Sequence, residues 1–208
     1  GNVYKGGNRG KIITNTQIEL LSDNFEYLKK NNRLKAEGNV QLFDAKNDIN
    51  INAETIFYFK NEEKISTSGK TLIKVSDKYT VEGYNLTLFK NTMILSSNHS
   101  ATITDKAFNE YKIEKFQYSI NQEILKGENI QASINENDKT NGDKFFIKKG
   151  FFNLKENKFL AKEIIAKLHK NLFNNEENDP RVIAVSAEGN EHITSFTKGV
   201  FTACKKTD

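Results

Sequence analysis

The sequence predicts an all-β protein: two facing antiparallel sheets, or a jelly roll. Three observations predict it, namely a repeat near thirty residues, period-two alternation within each copy, and polar turns between the alternating runs. A repeated unit of this size cannot bury its own apolar face and must stack on its neighbours. Asp23-Asn24-Phe25-Glu26-Tyr27 is followed by Leu34, Ala36 and Gly38; thirty-one residues on, Glu54-Thr55-Ile56-Phe57-Tyr58 is followed by Ile65, Thr67 and Gly69. A third copy has Leu86 and Leu88, then Leu95, Ser97 and His99. A looser fourth has Phe116 and Tyr118, then Leu125 and Gly127. A fifth runs through Phe152 and Leu154 to Phe159 or Leu160.

Taken in order, residues 1–11 read as a flexible N-terminus, and a strand is expected near Ile12 to Leu21. Leu34, Ala36, Val40 and Leu42 then alternate with Lys35, Glu37, Asn39 and Gln41, as Ile65 to Val75 do with their polar neighbours. Successive side chains of a strand point to opposite faces, so alternation of this kind marks a half-buried strand. Lys29 to Asn32, Lys60 to Glu63, Lys90-Asn91 and Asn121-Gln122 read as the hairpin turns, where Asn tolerates positive φ. The parity slips between Ile49, Ile51, Ala53 and Ile56, Tyr58, and again in Val81 to Leu86 and Ile113 to Phe116. Such a slip predicts a bulge or a bend, and Gly38, Gly69 and Gly83 suit the same need. Phe159 to Phe173 carries Leu160, Ile164, Ile165, Leu168 and Leu172 at helical spacing, so helix and strand both fit, with the surrounding repeat favouring strand. Asn171 to Pro180 is a polar loop, and Val182 to Ala187 and Ile193 to Phe196 read as two more short strands.

Composition narrows the function. The 208 residues carry 31 Lys+Arg against 27 Asp+Glu, 27 Asn and 20 Ile, with one Pro, one Cys and no Trp. A net charge of +4 allows an anionic partner without demanding nucleic acid. No apolar run approaches the ~18 residues of a membrane-spanning helix, and residues 1–9 lack the apolar stretch of a signal peptide. A single Cys204 excludes a disulfide scaffold and a cysteine-rich zinc site. His99, His169 and His192 stand apart at no ligand spacing, so no metal is expected. Lys5 to Lys11 lacks the spacing of a phosphate loop. Glu62-Glu63 and Glu176-Glu177 lie in turns rather than facing a cleft. No catalytic residues and no cofactor are expected. Lys144-Phe145-Phe146-Ile147-Lys148-Lys149 mixes basic and aromatic residues, but its aromatics fit a core or a groove lining better than base stacking.

Leu34-Lys35-Ala36-Glu37-Gly38-Asn39-Val40, preceded by Asp23 to Tyr27, resembles the organic-solvent-tolerance repeat of the OstA/LptD family. Ala187-Glu188-Gly189-Asn190 echoes it, and Asn178-Asp179-Pro180-Arg181 with Phe201-Thr202-Ala203-Cys204 is similar to the end of that family's periplasmic domain. The resemblance spans Ile18 to Cys204. It implies an open, V-shaped β jelly roll over residues 12–204, with 205–208 a stub leading to an outer-membrane β-barrel. It further implies a non-catalytic lipid conduit on the periplasmic face of the outer membrane. Lipopolysaccharide would come from the bridging protein LptA and pass toward the barrel and its lipoprotein partner LptE. Cys204 would pair with a cysteine outside this chain. Phe25, Tyr27, Ile56, Tyr58, Leu86, Leu88, Phe116, Tyr118, Phe152 and Leu154 would line the acyl-chain trough, with rim lysines facing phosphates. An exposed strand edge can add a partner strand, and Ile12, Ile18 and Leu20 are the expected docking edge. The alternative within the family is a free-standing bridge like LptA that assembles edge to edge.

Overall fold

The structure, a computed structural model, describes residues 2–14, 17–134, 142–169, 177–190 and 192–204. It is all-β, as expected. The chain forms two compact units, Gly1–Ile103 with Ser119–Asn121, and Thr104–Tyr118 with Gln122–Asp208.

The first unit holds β1 (Val3–Gly6), β2 (Gly10–Ile13), β3 (Ile18–Ser22), β4 (Asn24–Leu28), β5 (Arg33–Asp44), β6 (Ile49–Phe59), β7 (Lys64–Val75), β8 (Tyr79–Tyr84), β9 (Thr87–Phe89) and β10 (Ile94–Ser97). Long β5, β6 and β7 pair antiparallel through both halves. The outer two change partners midway. Residues 33–37 of β5 face β4 while residues 41–44 face β3. Residues 64–66 of β7 face β9 while residues 70–75 face β8. The change falls on Gly38 (φ 84) and Gly69 (φ 80), where the ladder also shifts register. A left-handed bulge re-aims a strand, and the parity slip around Ala53 is its trace in the sequence. Gly83 differs from the other two: its φ is not positive, and its missing Cβ admits the Ala101 Cβ at 3.0 Å.

β11 (Ala101–Asp105) spans the boundary between the units. The second unit then holds most of β12 (Glu110–Ser119) and an antiparallel meander of β13 (Ile124–Ile134), β14 (Asp143–Asn153), β15 (Lys158–Lys167), β16 (Arg181–Gly189) and β17 (Thr194–Thr202). β15 settles the ambiguous segment as strand as far as Lys167. Its helical look comes from a three-residue step between buried Ala161 and Ile164, with Glu163 left-handed (φ 50) between them. The rest of that segment from residue 170, and the loop expected from Asn171, lie outside the described residues up to residue 176.

The N-terminus departs from the expected flexible tail. Tyr4 stacks on Tyr27 at 6.4 Å, Lys5 pairs with Glu26 at 3.5 Å, and β1 runs against β4. β2 runs against β3, and its Gly10 leaves room for the Phe25 ring, which would stand 3.1 Å from a Cβ. Few of these residues are buried, so hydropathy gave no sign of them.

The turns repeat as well. Asn32, Glu63, Met93, Glu123 and Asn157 are each left-handed, with φ between 47° and 54° save Glu63 at 46°. Their carbonyls stitch successive copies together. Lys60 N–H donates to Asn32 O at 3.0 Å, Lys90 to Glu63 at 2.9 Å, Ile120 to Met93 at 2.9 Å and Leu154 to Glu123 at 2.8 Å.

Candidate functional site

Two cross-strand rows gather the expected trough residues of the first unit onto one face. Tyr27, Leu34, Tyr58, Ile65, Leu88 and Leu95 stand opposite one another in the first row. Phe25, Ala36, Ile56 and Thr67 form the next, and Leu86 O accepts the Thr67 N–H at 2.9 Å. Ile56, Leu86 and Leu88 are buried, whereas Phe25, Tyr27 and Tyr58 are half-buried toward the turns. Tyr27 O–H donates to Asn32 Oδ1 at 2.8 Å. Burial, and then the Glu63 carboxylate, push the Tyr58 hydroxyl above its usual 10.0.

In the second unit, Phe116 and Tyr118 are buried on β12, and Phe152 and Leu154 are half-buried at the end of β14. Phe152 stacks on Phe159 at 6.4 Å. The buried face of the meander carries Ala132, Ala161, Ala166, Ala184 and Ala187 between the larger Ile130, Ile147 and Ile164. That face opens at β17. Phe201 lies opposite buried Val182 and Phe196 opposite buried Ala187, so both belong to the buried face, yet they are 52% and 38% exposed. Sequence reasoning used Phe201 only as part of a tail motif and did not place Phe196 in the lining. The signal was present, since each sits one bulge away from parity with the other around Lys198 (φ 50).

A polar pair locks the bulge in each unit, which sequence reasoning missed. Asp23 lies against Gly38, where a Cβ would stand 2.7 Å from its Oδ2, and accepts from Asn39 Nδ2 at 2.7 Å. Glu54 lies against Gly69 in the same way. Asn129, left-handed at φ 51, donates to Glu114 at 2.5 Å. Lys148 donates to Glu163 at 2.8 Å, and here the left-handed residue (φ 50) is the one that carries the carboxylate. Asp23 and Gly38, Glu54 and Gly69, Glu114 and Asn129, and Lys148 and Glu163 are each fifteen residues apart, a spacing visible in the sequence once the role is known.

The expected docking edge needs correction. Ile18 and Leu20 are each only 3% exposed, and β3 has β2 on one side and β5 on the other. Their alternation marks a strand buried on one face, and nothing in it separates an edge from an interior strand. Ile12 lies on β2, which within its unit pairs with β3 alone among the described residues. Thr14 N–H donates to Ile18 O at 2.9 Å. Alternation of the antiparallel ladder then makes Ile12–Leu20 a bonded pair and turns the N–H groups of Lys11 and Ile13 away from β3.

Among the described residues no group of three or more His, Cys, Asp or Glu could hold a metal. His169 pairs with Asp143 at 3.0 Å. Cys204 is an exposed free thiol whose carbonyl accepts from Arg181 at 2.9 Å. Among the described residues no helix is long and apolar enough to cross a membrane. Searches against protein-family models and curated protein sequences find no match to this chain.

Proposed function

We propose that this chain is a non-catalytic lipid-binding conduit of the OstA type, similar to the periplasmic domain of LptD. It accepts lipopolysaccharide from an LptA-like bridge by strand addition and passes it toward an outer-membrane barrel and its lipoprotein partner LptE. In this reading the strands form an open, V-shaped jelly roll at the periplasmic face of the outer membrane. The repeat resemblance supports it, and one structural observation carries it: the apolar face of the meander, covered elsewhere, is exposed at Phe196 and Phe201.

The physical need is large. Each methylene removed from water is worth ~0.8 kcal/mol, so an acyl chain of about a dozen carbons resists exposure by roughly 10 kcal/mol. An apolar face with an open margin lets chains enter sideways without crossing water. The alanines beside that margin leave backbone within reach of a chain. Exposed lysines bring only ~0–1 kcal/mol each toward phosphate groups, so they orient the lipid and still release it.

The test is photo-crosslinking with lipopolysaccharide from a photoreactive residue at Phe201, Phe196 and Tyr58, with exposed Lys78 as control. Crosslinks to lipid at Phe201 and Phe196 are expected. Crosslinks only within the protein at all three positions would overturn the reading.

A second reading, an LptA-like bridge that assembles edge to edge, is favoured by one observation. β2 in one unit and β17 in the other each pair with a single strand of their own unit among the described residues. Filaments that grow with protein concentration would decide for it.

A further inference from the structure

The opposite, exposed face of the meander carries a second apolar feature. Phe146, Ile165, Ile183 and Val200 lie directly opposite one another across β14 to β17. Ile183 and Val200 are 54% and 68% exposed, and Val185 beside them is 56% exposed. Three strand spacings make this row about 14 Å long. It floors a hollow of about 680 Å³ at the line of left-handed residues Asn129, Glu163 and Lys198.

Two residues along each strand runs a row of cations on the same face: Lys144 opposite Lys167, and Lys167 opposite Arg181. Like charges directly across a ladder repel, so three in sequence are a cost to the sheet. Of the three, Arg181 alone has a carboxylate partner among the described residues. Asp143 Oδ1 accepts from His169 at 2.8 Å, and Asp179 is held by Arg181 at 3.0 Å. Among the described residues, Lys144 and Lys167 have no carboxylate partner within 4.0 Å. The Lys167 ammonium instead leans over the Phe146 ring at 5.5 Å, from the cation row toward the apolar one.

We propose that this hollow binds one acyl chain of a phosphate-bearing lipid, with the chain along Phe146, Ile165, Ile183 and Val200 and the phosphate bridging Lys144 and Lys167. An apolar row beside a row of repelling cations matches a single-chain anionic amphiphile, because the anion relieves the repulsion that the sheet otherwise carries. The site lies on the face opposite Phe196 and Phe201, and stands whether or not the conduit reading does.

The test follows methyl resonances of the full chain during titration with dodecyl phosphate below its micelle-forming concentration. Saturable shifts at Ile165, Ile183, Val185 and Val200 are expected, with none at buried Leu125 or Val182, which do not line the hollow. Sodium phosphate alone should leave those methyls unmoved. The double substitution K144E/K167E should weaken dodecyl phosphate about tenfold, and Ile183→Ser should weaken it about fivefold while leaving the cations intact. Shifts confined to the buried-face methyls, unchanged affinity in K144E/K167E, or equal binding of inorganic phosphate would each overturn the proposal. Lipid crosslinking at Phe201 reads the conduit and not this hollow, so the two readings fail separately.

Discussion

At Gly69 a backbone φ of +80 and the Glu54 side chain act on the same atom position. A Cβ there would stand 3.1 Å from the Glu54 Cβ and closer still to its carboxylate. Left-handed backbone costs a non-glycine residue about 1–3 kcal/mol, so Gly69→Ala should lower the free energy of unfolding by at least that amount. Gly6→Ala is the control, because nothing lies within 4 Å of its Cβ position. Urea midpoints of the two variants check the difference, and equal midpoints would remove strain and crowding as the reason for this glycine. Tyr58 gives a pH dependence. Burial first, and the Glu63 charge second, raise its pKa above 10.0, so the folded state holds this proton more tightly than the unfolded chain. The stabilisation is complete below the unfolded value and is lost as pH climbs through the folded one. Thermal unfolding at about pH 8 and about pH 11 should show a smaller loss in Tyr58→Phe than in the parent. Equal losses would show that the hydroxyl does not titrate with folding.

Strands and turns show what alternation does and does not encode. The 31-residue offset between Asp23 and Glu54 was legible because each copy repeats the same burial demand. The bulges were legible as parity slips, since buried residues step by three across Ala161 and Ile164. Left-handed Glu63, Met93 and Glu123 were not, because no side-chain preference marks them and neighbouring turns impose the conformation through backbone hydrogen bonds. Edge and interior strands were also indistinguishable, which is why Ile18 and Leu20 read as an edge. Their burial moves the expected docking site to β2 and sharpens its test. Proline is tolerated at an edge only where its missing N–H faces outward. Ile13→Pro should therefore keep the fold and abolish co-purification with an LptA-type partner, since its N–H points away from β3. Leu20→Pro, inside the ladder and 3% exposed, should unfold the unit. Full partner binding by a folded Ile13→Pro variant would show that this edge is not where a strand is added.

Over the whole molecule the charge is modest, +4 from 31 bases and 27 acids, and among the described residues ion pairs such as Lys11–Glu19, Lys70–Glu82 and Lys148–Glu163 are formed by exposed side chains. Exposed pairs contribute about 0–1 kcal/mol each. The fold rests instead on isoleucine-rich rows such as Ile49, Ile51, Ile56, Ile65 and Ile73, each no more than 1% exposed. Stability and anionic-lipid binding therefore respond differently to salt. The Debye length shrinks from about 10 Å at 0.1 M to about 3 Å at 1 M, which screens Lys144 and Lys167 from a phosphate and leaves the apolar rows untouched. Raising sodium chloride from about 0.05 to about 0.5 M should shift the thermal midpoint by no more than a few degrees. The same change should weaken dodecyl phosphate several-fold. Neutral dodecyl maltoside, which has the chain without the charge, should bind more weakly at low salt and lose nothing when salt is raised. If dodecyl phosphate kept its affinity throughout, chain burial alone would account for binding, and the cation row would have no part in it.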